Sequence, residues 1–223
     1  MRLGASTIRG QPVVAPGLWK NCWKYARRGR RRPWPAAPDD CEAAALWLIE
    51  HARNRFGTTR LMIGGSSAGA TLALAALLRL RDKGTADDSP GTVNCPETAE
   101  FIGAVLQFGT YDLSAQTPAG RQIADEYFIQ AYAGHVTDRT FPDISSVYAD
   151  LRGLPPALLV FGSADVLLED NLAMAGRLSA AGNHVELRVH PEAPHGFTGH
   201  ATALAQTALN GIEAWLLDHL TQP

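Results

Sequence analysis

Three residues of this chain are of types that together can perform nucleophilic acyl transfer: Ser67, Asp165 and His195. Ser67 is the central serine of Gly65-Ser66-Ser67-Ala68-Gly69, which fits G-x-S-x-G, with Ser66 in the variable slot. A serine hydroxyl ionises far above neutral pH, so it needs a base within hydrogen-bond reach, and that base needs a carboxylate to fix its tautomer. The pattern has a mechanism where a strand turns sharply into a helix, because the serine backbone is strained there and small neighbours relieve the crowding. An apolar run, Leu61 to Ile63, meets this Gly/Ser turn and passes into an Ala/Leu-rich stretch ending near Arg81. The context is therefore strand, turn, helix. A Gly/Ser-rich strand-to-helix turn with no catalytic role gives the same pattern.

Asp165 and His195 narrow the choice through their place in the expected elements. PALLVFGSAD (156–165) is a continuous apolar run suited to a strand buried on both faces, and HVELRVHPEA (184–193) alternates as a strand does. Both residues then lie past the carboxyl ends of parallel strands, on the sheet edge that carries Ser67, where open α/β sheets place their sites. Taken singly, they read as a solvated loop aspartate and a surface histidine. Taken together, the order Ser67, Asp165, His195 is the one that follows a serine on such a turn.

The remaining elements complete an alternating pattern. DDCEAAALWLIEHARNR (39–55) reads as a helix capped by Asp39 or Asp40, with Arg53 and Arg55 near its end and Gly57 stopping it. FIGAVLQFG (101–109) reads as a strand, and the polar region 114–148, helical around 121–132, as an insertion. A helix over 169–181 stops at Gly182, and a last helix covers 202–220 with Trp215 and Leu216 on its apolar side. Strands separated by helices imply an α/β class, with a mostly parallel sheet and helices on both faces.

Several blocks resemble the α/β-hydrolase fold-3 group, the hormone-sensitive-lipase-like carboxylesterases. They are PWPAAPDDCEAAALWL, IGGSSAGATLAL, YDLS, YADLRGLPPALLVFGSADVLLEDN and AAGNHVELRVHPEAPHGF, spread over residues 33–220. The resemblance implies an α/β-hydrolase fold in a single domain, 1–223, whose first 35 residues are atypical, with a small cap insertion around 115–146 that contributes to the acyl or alcohol pocket. It implies hydrolysis of short-chain carboxylic esters through an acyl-enzyme, with Ser67 as nucleophile, His195 as base, Asp165 as triad acid and the backbone N–H of Ala68 as an oxyanion donor. It favours Asp165 over the nearby Glu169 and Asp170, which read as the start of a helix.

The chain departs from that group at its N-terminal side. The group carries a His-Gly-Gly or Gly-Gly-Gly oxyanion motif about 65 to 75 residues before the nucleophile. No such motif occurs in the 66 residues before Ser67, although Leu3-Gly4-Ala5-Ser6 could match the stretch just after it, and ARRGRRRPWPAA stands where a strand is expected. The sequence thus reads as an N-terminally reduced fold. Loss of one oxyanion donor typically lowers turnover by about 10² to 10³. The alternative function is accordingly a catalytically weak or inactive hydrolase-like protein that binds a small apolar ligand or a partner. Loss of the first strands would leave the strand at 60–64 on an exposed edge, so a homodimer or poor solubility is expected more readily than a clean monomer.

Composition removes other classes. The chain has 223 residues, 46% hydrophobic and 19% charged, enough for a sizeable core and too little charge for a disordered polymer. A net charge of −2 gives no global attraction to nucleic acid or an anionic membrane. Apolar runs fall short of the roughly 18 to 20 residues of a membrane span, and the first twenty residues lack a signal-peptide pattern. Cys22, Cys41 and Cys95 are odd in number and share no C-x-x-C spacing, which suits reduced thiols in a cytoplasm. Arg27, Arg28, Arg30, Arg31 and Arg32, among Trp19, Trp23, Tyr25 and Trp34, read as a solvated basic segment in preference to a phosphate- or base-binding patch. His190 and His195 form no H-E-x-x-H, and neither G-x-G-x-x-G nor a P-loop occurs, so no metal or cofactor is expected.

Overall fold

The computed structural model describes residues 33–86 and 99–221. Helix α1 (Ala36–Phe56) begins one turn before the expected cap, with Pro35 at the cap position and no side-chain capping bond. Asp39 instead lies in the first turn, where a carboxylate opposes the positive end of the helix dipole, and it pairs with Arg79. Gly57 ends the helix at φ +71°, donating its N–H to the Arg53 carbonyl at 3.0 Å.

The chain then runs through β1 (Arg60–Ser66), α2 (Ala68–Ala86), β2 (Glu100–Gln107), α3 (Pro118–Ile123), α4 (Tyr127–Ala133), β3 (Ala157–Gly162), α5 (Leu168–Ala180), β4 (Val185–His190) and α6 (Ala203–Thr221). Single 3₁₀ turns at Ser146–Tyr148 and Phe197–Gly199 had no periodic signal to announce them. The four strands are all parallel, in the order β1-β2-β3-β4. Right-handed crossovers stepping one way across a sheet place their helices on one face, and α2 and α5 both touch the Ser146–Tyr148 turn. Helix α6 covers the opposite face, where a Cβ on Gly103 would lie 2.6 Å from the Met62 sulfur and 3.1 Å from the Trp215 ring. A methyl group there would require the flexible Met62 thioether to move aside and would press on the indole.

Burial follows strand position. Leu158, Leu159, Val160 and Phe161 of the inner strand β3 have no exposed surface, which is why its sequence is an uninterrupted apolar run. On β4, the outermost strand at one side of the sheet among the described residues, Leu187 and Val189 remain exposed. Among the described residues β1 has a strand neighbour on one side only.

The region after β2 has a small core of its own, formed by Leu113, Ile123, Ile129, Ala133, Ile144 and Leu167 with Trp34 packed against it. Where one helical stretch was expected there are two short helices, α3 and α4. Ile123 and Ile129 explain the break: on one continuous helix, six residues at about 100° each would send them to different faces. Thr117 starts α3 by accepting the Gly120 N–H at 3.0 Å, with Pro118 at the first helical position.

Candidate active site

β1 leads directly into Ser67, whose φ of +54° is in the left-handed region. For a residue with a Cβ this is a strained conformation, and the surroundings hold it in place. The Ser67 N–H donates to the Gln107 carbonyl at 2.9 Å, and the first turn of α2 closes on the Ser67 carbonyl through the Ala70 N–H at 2.9 Å. Gly65 is required, since a Cβ there would lie 2.4 Å from the Gly69 carbonyl carbon. At Gly69 an added Cβ would meet nothing within 4 Å, so crowding accounts for only the first glycine of the pattern. Ala68 is the first residue of α2, where backbone N–H groups have no partner one turn back.

Two loops at the carboxyl ends of β3 and β4 carry the other two residues. They are sewn together: Ser163 N–H donates to His190 O at 2.9 Å, Ala164 N–H to Ala193 O at 3.1 Å, and Glu192 N–H to Ser163 Oγ at 2.8 Å. The approach is so close that a Cβ on Gly162 would be 1.8 Å from the Ala193 carbonyl oxygen. Asp165 Oδ1 accepts the Leu167 N–H at 2.8 Å and lies 3.0 Å from His195 Nδ1, with Oδ2 at 3.2 Å. His195 Nε2 is 3.0 Å from Ser67 Oγ. With Nδ1–H given to the carboxylate, the Nε2 lone pair is free to accept the serine proton. The Asp165 side chain is fully buried while that of His195 keeps 35% of its surface, so the carboxylate is dry and the imidazole opens to solvent beside Ser67.

The three residues singled out in the sequence are therefore brought into one hydrogen-bonded row. Asp170 is not in it: its carboxylate turns to the loop after β2 and accepts the Tyr111 N–H at 2.6 Å. Burial raises its pKa to about 6, against the opposing pull of the Tyr111 and Asp112 N–H groups. Asp112 itself is held below the usual carboxylate range, because hydrogen bonds from Ser114 and Thr117 outweigh the effect of its burial.

Sequence reasoning passed over several neighbours of the row. The Phe108 ring meets the His195 ring edge-on at 5.1 Å from a left-handed backbone (φ +38°). Thr198 Oγ1 donates to Gln107 Oε1 at 2.9 Å, fastening the histidine loop to the end of β2. Asn171 bridges two loops. Phe108 closes an apolar strand and Asn171 sits in a helix, so no periodic or motif signal marks either. Grooves of about 340 and 1070 Å³ lie around Asp125 and Arg139 and around Trp34 and Arg79, and neither includes Ser67 or His195. Cys22, Cys95 and the arginine run before Pro33 lie outside the described residues. Among the described residues, no helix is long and apolar enough to cross a membrane.

A buried carboxylate, an imidazole and a serine on a strained turn form an arrangement that can deprotonate the hydroxyl as it attacks a carbonyl. A family model described as the alpha/beta hydrolase fold matches residues 25–199. The chain belongs to that family. This α/β hydrolase is 31% identical over 187 residues to a carboxylic ester hydrolase, LipN, of Mycobacterium tuberculosis, covering 77% of this chain and 46% of LipN. It is 34% identical over 175 residues to an acetyl-hydrolase of Streptomyces hygroscopicus, covering 77% of this chain and 55% of the relative. Among solved structures, it superposes on a hormone-sensitive lipase homologue, EstE7, from a metagenome library with a TM-score of 0.71 at 32% identity, covering 86% of this chain and 65% of that one. The chain thus spans about half the length of these curated relatives.

Proposed function

We propose that this α/β hydrolase cleaves short-chain carboxylic esters through an acyl-enzyme on Ser67. The observation that carries the reading is the continuous row Ser67 Oγ, His195 Nε2, His195 Nδ1, Asp165 Oδ1, with 3.0 Å at each link. Ser67 Oγ attacks the ester carbonyl while His195 takes its proton, and Asp165 stabilises the imidazolium that forms. The backbone N–H of Ala68, at the positive end of α2, donates to the oxyanion. His195 then returns the proton to the leaving alcohol, and water repeats the sequence in reverse to release the acid. The substrate class is supported by the printed activities of the relatives, an ester hydrolase and an acetyl-hydrolase. On this reading residues 115–146, which follow the loop after β2 and contribute most of a small separate core, supply part of the acyl or alcohol pocket.

The reading extends to a reducing, cytoplasmic compartment, supported by three cysteines without C-x-x-C spacing, and to a homodimer, supported by the edge position of β1. The test is hydrolysis of p-nitrophenyl acetate, butyrate and octanoate by wild type and Ser67→Ala. The expected result is faster turnover of the two shorter esters and a fall of about 10³-fold or more in the variant. Equal, background rates from two folded proteins would replace the esterase with a hydrolase-like binding protein.

A further inference from the structure

We infer that Asp170 and Asn171, at the start of α5, are positioning residues: they hold the loop after β2 against the loop carrying Asp165, and so set where both Asp165 and Phe108 stand relative to His195. The inference rests on ester hydrolysis at Ser67 as proposed above.

Asn171 is fully buried, and each polar atom of its amide is used. Oδ1 accepts the Gly109 N–H at 3.1 Å, and Nδ2 donates to Gly109 O at 2.9 Å and to Leu167 O at 2.8 Å. The network fixes the amide's orientation, since the reversed one would aim its oxygen at two carbonyls. Gly109 follows Phe108, whose ring meets the His195 imidazole, and the Leu167 N–H holds Asp165 Oδ1. One side chain therefore bonds to the loop behind each of two groups that flank the imidazole.

Asp170 fastens the same loop one step further on, through the Tyr111 N–H at 2.6 Å and the Asp112 N–H at 3.4 Å. From the other side, Thr71, one turn after Ser67, donates its hydroxyl to the Thr110 carbonyl at 2.7 Å. The loop after β2 is thus tied at consecutive residues to the nucleophile's helix and to the acid's helix. A role confined to starting α5 would direct the carboxylate at the helix's own first N–H groups. Here α5 has no side-chain capping bond, and Asp170 reaches outward to residues 111 and 112.

Misplacing a catalytic group by about 1 Å can cost about 10²-fold in rate. The experiment compares Asn171→Ala, Asp170→Ala and Asp170→Asn with wild type, each first shown to be folded by circular dichroism. It measures kcat and KM on p-nitrophenyl butyrate, and the far-downfield proton resonance of His195 Nδ1–H. The two alanine variants should lose about 10²-fold in kcat with KM little changed, because neither residue reaches substrate. Their His195 resonance should shift or broaden. Asp170→Asn keeps an acceptor for the Tyr111 N–H and should retain most of the activity and an unshifted resonance. Should Asn171→Ala not fold, the isosteric Asn171→Asp sets an oxygen against the Gly109 and Leu167 carbonyls and should show the same kcat loss. Folded alanine variants with wild-type kcat and an unmoved resonance would overturn the inference, as would losses confined to KM. If wild type itself hydrolyses nothing, the esterase reading fails and the resonance alone decides: a shift in the alanine variants upholds the positioning role, and no shift overturns it.

Discussion

Gly65 and Gly69 occupy matching places in the G-x-S-x-G pattern, yet their surroundings differ. An alanine at 65 would force a methyl against the Gly69 backbone, whereas one at 69 projects into open space at the start of α2. Gly65→Ala should destabilise the protein by about 1–3 kcal/mol through overpacking, while Gly69→Ala should be neutral or gain up to about 1 kcal/mol in helix propensity. Urea unfolding midpoints compare the two, and the reverse ranking would contradict the packing argument. Asp170 gives a second residue-level expectation. Its folded-state pKa of about 6 lies above the ordinary 3.8, so the folded protein holds a proton that the unfolded chain releases. That contribution is complete below about pH 4 and is lost as pH rises through 6, to a total of about 3 kcal/mol. Wild type should therefore lose stability relative to Asp170→Asn across that window, as read from urea unfolding at stepped pH; parallel profiles would contradict the assignment. The residues of the reactive row were legible in the sequence because each follows a recognisable strand and the three come in a characteristic order. Asn171 and Gly109 were not, because a bond between residues 62 apart is a product of the fold and leaves no local pattern.

At the scale of elements, the alternation of apolar runs with helical stretches located the four strands and the long helices, because burial on both faces writes itself into composition, as in β3. Departures arose where tertiary partners outweighed local signals. α1 starts at Ala36 because Asp39 is engaged by Arg79 and is not used as a cap. The insertion splits into α3 and α4 because Ile123 and Ile129 are drawn to one cluster. Arg79 ties these pieces together: it makes a two-pronged contact with Asp143 and a 2.8 Å contact with Asp39, while the Trp34 indole donates to Asp143 at 2.7 Å. The hydrogen bonds that Arg79 donates to Asp143, against a smaller effect of burial, hold its guanidinium above its usual pKa. Arg79→Met should cost about 2 kcal/mol, less than a fully buried pair because Arg79 keeps some contact with water. Denaturant unfolding measures it. A change below about 0.5 kcal/mol would mean that apolar packing alone seats the insertion on α1 and α2.

At the scale of the whole molecule, β1 is the outermost strand on one side of the sheet among the described residues, and it carries Leu61, Met62 and Ile63, each half-buried, and backbone groups that no described strand pairs. Such an edge recruits strands from other chains. Sedimentation velocity should show a mass that rises with protein concentration, and a single monomeric species throughout would contradict self-association. On the proposed function, the left-handed turn at Ser67 presents a nucleophile activated by His195. Covalent labelling with a fluorophosphonate, with the adduct mapped by peptide mass spectrometry in wild type, Ser66→Ala, Ser67→Ala and His195→Ala, reads out that nucleophile. One adduct on Ser67 is expected, retained in Ser66→Ala, absent in Ser67→Ala and strongly slowed in His195→Ala. An adduct on Ser66, or no adduct on a folded wild-type protein, would contradict it.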